Sequence, residues 1–267
     1  MTDESLSSAR PPVNEVVLSV AMQPQPALLG PGIPAILGDF FEEHREIKVA
    51  PPYRISPEPP EHFAAPSNFT AEIQFNPSVE PRYWLHSGDQ SEVIQVQPDY
   101  LALNWRRGEG EREYVHYETL REKFVAILET ARQGLLRSGG SLLPERAELT
   151  YVNIIAPNAV WASLAEVHKL FNVNVEKFGE YEQMSVLVSS LIMGVDRPIG
   201  RMHISLKPAH DWVKAEPQIH LAITLRSFTF DESTIEAALA FLDQAHEHAN
   251  AKFRDLATPA ALEAWGI

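Results

Sequence analysis

The sequence predicts an α+β fold in which antiparallel sheets carry long helices on one face. Three observations point there. Runs of β-branched residues alternate apolar with polar between turn signals, as half-buried strands do. Two segments of about twenty residues place apolar side chains three and four apart, the spacing of amphipathic helices. The order strand, short helix, several strands, long helix also occurs twice, over residues 13–145 and 146–267. That order is compatible with a duplicated β-α-β-β-β-α unit and with one continuous domain. At 267 residues, with 45% hydrophobic and 22% charged, the chain has enough apolar material for a real core, so wholesale disorder is excluded.

Residues 1–12 are polar, end in Arg10-Pro11-Pro12 and read as a disordered leader. Val16, Val17, Leu18 and Val20 then make 15–22 a buried strand. Gly30-Pro31-Gly32 breaks the chain, and Ile33, Ile36, Leu37, Phe40 and Phe41 predict a short helix over 33–47. The prolines between 50 and 81 forbid long helices there, with room for an edge strand over 70–75. Residues 83–86 and 93–97 flank Ser87-Gly88-Asp89 as a hairpin, and 100–107 is a further strand. Leu120, Phe124, Ile127, Leu128, Ala131 and Leu135 form one stripe of a helix over 117–137, closed by Ser138-Gly139-Gly140.

The second half predicts strands over 148–155, 182–193, 201–207 and 217–230, and a short helix over 161–171. A long helix over 233–253 closes it, with Asp231 or Ser233 as N-cap. Residues 15–24 align with 148–157, and Thr119-Leu120, Phe124 and Ile127 align with Thr234-Ile235, Leu239 and Leu242.

Composition narrows function. The absence of cysteine removes disulfides, thiolate metal sites and cysteine nucleophiles, and no run approaches the ~20 apolar residues of a membrane helix. The start lacks a basic and then apolar signal, so the expectation is a cytoplasmic protein with no membrane role. A formal charge of −14 repels nucleic acid and favours basic partners. No phosphate-loop, dinucleotide, nucleophile-elbow or zinc pattern occurs, so no cofactor and no catalytic residue is assigned. His246 and His248 invite a metal reading, but residues two apart on a helix diverge, and no metal site is expected.

Candidate binding residues come from the polar sides of the strands. Alternation sets Gln95, Gln97, Asn104 and Arg106 opposite Ile94, Val96, Leu103 and Trp105, an amide-rich surface suited to reading hydrogen bonds. It likewise sets His203, Lys207, His220 and Arg226 on one surface if their strands pair, a basic patch suited to an acidic group. Tyr83, Trp84, Tyr100 and Trp105 near Arg82, Arg106 and Arg107 either stack on bases or on a partner's side chains, or serve packing, with Trp84 and Trp105 anchoring the core.

Pro11-Pro12-Val13 with Glu15-Val16-Val17, Ile94-Gln95-Val96-Gln97, Asn104-Trp105-Arg106 and Thr150-Tyr151-Val152-Asn153 occur in that order. In this the chain resembles a sporadically distributed bacterial family of unknown function, about 250–270 residues long. The resemblance implies a shared fold and supplies no catalytic residue. The functional expectation is a non-enzymatic binding protein that engages a protein partner through a sheet face or edge, as an antitoxin, immunity or defence-system accessory would, with a homodimer as one form. The alternative is an enzyme or ligand sensor with a pocket between sheet and helix, using His203 and His220.

Overall fold

The computed structural model describes residues 10–58, 81–108, 113–173, 184–211 and 213–267. Nine strands form one antiparallel sheet in the order β2-β3-β4-β5-β1-β6-β9-β8-β7. They are β1 (Val13–Met22), β2 (Glu46–Ala50), β3 (Arg82–His86), β4 (Glu92–Gln97), β5 (Tyr100–Arg106), β6 (Pro144–Ile155), β7 (Val186–Met193), β8 (Pro198–Asp211) and β9 (Glu216–Ser227). The first strand of each half lies beside the last strand of that half, β1 against β5 and β6 against β9. The halves meet where β1 pairs with β6, with Leu18 opposite Leu149. The two halves therefore share one sheet and one main core.

The α-helices among the described residues are α1 (Ile33–Leu37), α2 (Asp39–Glu43), α3 (Tyr117–Arg137), α4 (Val167–Leu170), α5 (Ile235–Leu256) and α6 (Pro259–Trp265). Period-two alternation sends Val16, Leu18 and Val20 of β1, Leu101 and Leu103 of β5 and Leu221, Ile223 and Leu225 of β9 to one side. There they join Phe124, Ile127 and Leu128 of α3 and Phe241 and Leu242 of α5 in a continuous apolar core. Helix α1 crosses α3 at Gly134, where a β-carbon would lie 2.6 Å from the Ile36 backbone. That close approach is open only to glycine.

Several elements depart from the sequence reading. The helix expected over 33–47 is two short helices broken at Gly38, whose φ of 52° is costly for any other residue. It gives way to β2, which adds to β3 with Ile47 opposite Leu85. Strands β6 and β8 run further than their apolar cores suggest, because ladder hydrogen bonds continue past the last buried side chain, while β9 ends at Ser227, three residues short of the expected end. The short helix of the second half is confined to α4 and a preceding 3-10 turn. The N-cap of α5 is Thr234, whose hydroxyl accepts from the Ala237 N–H at 3.1 Å, in place of Asp231 or Ser233. Helix α6, capped by Thr258 and opened by Pro259, was not anticipated. The edge strand expected over 70–75 lies outside the described residues. Among the described residues, no helix is long and apolar enough to cross a membrane.

Candidate functional site

The sheet face opposite the long helices carries the polar half of every alternating strand. Register brings the residues together: Gln95 faces Ala102, Gln97 faces Tyr100, Arg106 faces Glu15, Glu148 faces Arg226, and Arg226 faces Arg201. The structure thus sets Gln95, Gln97, Asn104, Arg106, His203, His220 and Arg226 on one face of one sheet. Much of that face is closed. Gln95, Gln97, Asn104 and Arg226 are buried and bonded within the protein.

The cover is the extended stretch 51–58, which follows β2 and runs across the face. Gln97 reads the Tyr53 backbone with both ends of its amide, accepting from the N–H at 2.9 Å and donating to the carbonyl at 3.0 Å. The Tyr53 ring meets Tyr100 edge-on, and its phenol donates to Glu148 Oε1 at 2.8 Å. Ile55 is buried in a small second cluster with Ala21, Tyr100 and Ala102, while Arg146 donates to its carbonyl at 2.7 Å.

Glu58 ends the stretch in a buried cluster of charges. Its carboxylate accepts from Arg201 Nη1 at 2.8 Å and from His203 Nε2 at 2.7 Å, with Arg226 Nη1 3.5 Å away. Arg226 Nε also donates to Glu148, and Ser189 on β7 bonds the far nitrogen of His203 at 2.9 Å. Burial alone would raise the Glu58 carboxyl, but the hydrogen bonds from His203 and Arg201 outweigh it and hold the group below its ordinary value. Burial opposes the charge of Arg226 in the same way, and Glu148 reverses the effect. Each charge here has a partner of opposite sign, the condition for leaving water without a large penalty.

The remaining candidates divide. Asn104 and Arg106 both donate to Glu15. Arg82 and Arg106 lie over the Trp84 ring at 5.3 and 5.4 Å, so Trp84 sits on the polar face while Trp105 is in the core. Arg107 is on the other side of the sheet, which separates it from Arg82 and Arg106 and leaves no single basic patch for nucleic acid. His203 pairs with Thr224 and His220 with Lys207, four positions along. That offset is about 13 Å, too far for both rings to serve one substrate as acid and base.

The two outer strands are unlike each other. On β2, Glu46 and Lys48 form an ion pair at 2.9 Å beside the exposed Ile47 and Val49. On β7, eight residues long, there is neither charge nor proline, and Leu187, Val188, Leu191 and Met193 are 49%, 47%, 45% and 55% exposed.

A cavity of about 610 Å³ lies behind the sheet, between its centre and the facing ends of α3 and α5. Tyr117 stacks on His246 with centroids 4.0 Å apart, His246 Nδ1 bonds the Tyr151 phenol at 2.6 Å, and Asn250 Nδ2 bonds His246 Nε2 at 3.0 Å. Burial lowers the His246 imidazole despite Glu118 and Asp243, so the ring is neutral near pH 7. With Asn250 donating to Nε2, the ring proton is on Nδ1 and is given to Tyr151. Burial also raises the phenol of Tyr151, and that of Tyr114 is pushed up to about 12. Sequence reasoning missed this site because five separate elements supply it, and it missed Glu58, Tyr53 and Glu148 because their partners are far along the chain. Arg201 was within reach, since alternation sets it on the same side as His203.

No protein-family model matches the chain, and neither a curated protein nor a solved structure matches it.

Proposed function

We propose that the protein is a non-enzymatic, cytoplasmic binding module that takes up an extended segment of a protein partner along the free edge of β7. The observation that carries this is the outer edge of β7, with which no strand among the described residues pairs: an uncharged strand with four large apolar side chains exposed. An exposed edge of this kind is a template for a further strand, and monomeric proteins ordinarily guard it with charge or proline, as β2 does here with Glu46 and Lys48. The partner segment is an extended strand with apolar residues at alternate positions, to lie against Leu187 and Leu191 on one face and Val188 on the other. A polar sheet face already closed by 51–58 favours the edge over the face as the docking place. An antitoxin, immunity or defence-accessory role is one instance of this class and rests on net charge alone. We also propose that the halves descend from one duplicated β-α-β-β-β-α unit, with β2 an additional strand of the first half; the pairing of first with last strand in each supports this.

The test is affinity capture from the native organism with the parent chain, with Leu191→Lys and with Gln97→Ala, joined to hydrogen exchange of the purified complex. The expected result is a stoichiometric protein held by the parent and by Gln97→Ala, lost from the folded Leu191→Lys chain, with amides of 186–193 protected in the complex. Retention by Leu191→Lys, or unprotected β7 amides in the complex, overturns the proposal. A β7-dependent dimer in light scattering would identify a second copy as the partner.

A further inference from the structure

We propose that the cavity between the sheet centre and the ends of α3 and α5 binds a small planar aromatic acid that also carries a hydrogen-bond donor. Its volume of about 610 Å³ falls in the range of small-molecule sites, with room for a ring system and ordered water. Tyr114, Tyr117, Tyr151, His246 and Phe253 give its walls aromatic surface, which favours a flat ligand.

Two unsatisfied groups define the polar part. Asn153 lines the cavity at 1% exposure; its Nδ2 donates to the Leu221 carbonyl at 3.1 Å, and its Oδ1 accepts from nothing among the described residues. A buried acceptor without a donor is costly, and a ligand hydroxyl or ring N–H would satisfy it. Arg107 also lines the cavity. Its Nη2 donates to the Pro11 carbonyl at 3.0 Å, its buried Nε has no partner, and no carboxylate among the described residues pairs with it. Burial, and then the neighbouring Arg10, make its charge harder to hold. The Arg107 guanidinium, with its buried Nε unpartnered, is a positive group in a protein of charge −14 that an anion would satisfy.

The exposed Glu113 and Glu118 also border the cavity and oppose a second negative charge, so a monoanionic carboxylate suits the site better than a phosphate ester. A planar carboxylate also matches the guanidinium fork of Arg107.

The experiment is calorimetric titration of the full chain with 4-hydroxybenzoate and with indole-3-acetate. Tryptophol, the uncharged counterpart of the latter, and inorganic phosphate are run beside them. Saturable binding of at least one acid is expected, weakened roughly 10- to 100-fold by loss of the ligand carboxylate, by Arg107→Gln or by Asn153→Leu. Melting of the ligand-free variants separates lost binding from lost fold. In the unaltered protein, the Asn153 side-chain amide and His246 ring resonances should shift on titration. Failure of both acids to bind the unaltered protein overturns the proposal, as does binding that leaves those resonances unmoved. Equal affinity for tryptophol would remove the carboxylate from the class, and equal affinity for phosphate would remove the ring. None of these outcomes depends on β7.

Discussion

The two faces of the sheet are held by different physics. On the polar face, Glu58, Glu148, Arg201, Arg226 and His203 are tied by directed, charge-assisted bonds that fasten 51–58 down. On the other face, α3 and α5 are held chiefly by packing and by the approach of α1 to Gly134, with Tyr117 and Arg121 of α3 bonded to Asp243 of α5, and a cavity of about 610 Å³ is left there. A face can be polar without being available: the side chains best suited to reading a partner are bonded within the chain, Gln97 to the Tyr53 backbone, Gln95 to Arg82, Asn104 to Glu15 and Arg226 to Glu148. Buried polar atoms without a partner among the described residues occur on both sides, Arg82 Nε, Trp84 Nε1 and Asn104 Oδ1 on the polar face and Asn153 Oδ1 and Arg107 Nε at the cavity.

Removing Glu58 should break this contrast most sharply. Glu58→Ala removes the buried carboxylate shared by Arg201, His203 and Arg226 and should destabilise the protein by about 3 kcal/mol in urea unfolding, whereas Glu118→Ala, at the exposed border of the cavity, should cost little. The helix face should fail by volume instead. Gly134→Ala forces α1 from α3 and should cost about 2 kcal/mol by the same measurement. Thr234→Ala removes the α5 cap and should cost about 1 kcal/mol.

Stability should also depend on pH in two separate ranges. Burial lowers His246, His220 and His86 in the folded protein, so the unfolded chain takes up protons first. Melting temperature should therefore decline as pH falls below about 6.5, and His246→Gln should flatten that decline. Glu58 is also lowered, by its hydrogen bonds against burial. Its contribution is present above the ordinary carboxylate range, and should be lost as pH falls below about 4.3 and through its folded value. The smallest effect on stability is expected at the edge where the faces meet. Leu191→Lys should change unfolding by less than about 0.5 kcal/mol, because the side chain is exposed, while abolishing partner capture.

How much of this was legible follows from range. Alternation within β4, β5, β8 and β9 assigns each side chain to a face without knowledge of its neighbours, which is why the polar residues could be grouped. The period of 117–137 gives α3 in full for the same local reason. Strand β2 was hidden because Glu46-Ile47-Lys48-Val49 is short, half charged and continuous with a helical stripe. The Glu58 cluster was hidden because the Arg201 partner is 143 residues away in a proline-rich context that offers no periodicity. The cavity was hidden because no one segment contributes enough of it to leave a pattern.

The position of β1 bears on how the chain is made. Of the nine described strands it is made first, and it ends in the middle of the sheet, with both of its neighbours, β5 and β6, encoded far downstream. At a synthesis rate of about 5–20 residues per second, the second of them is finished on the order of 10 s after β1. For that interval Val16, Leu18 and Val20 have no native strand on either side. Nascent chains of this protein should accordingly be clients of whatever factor shields apolar segments at the tunnel exit until Ile155 has emerged.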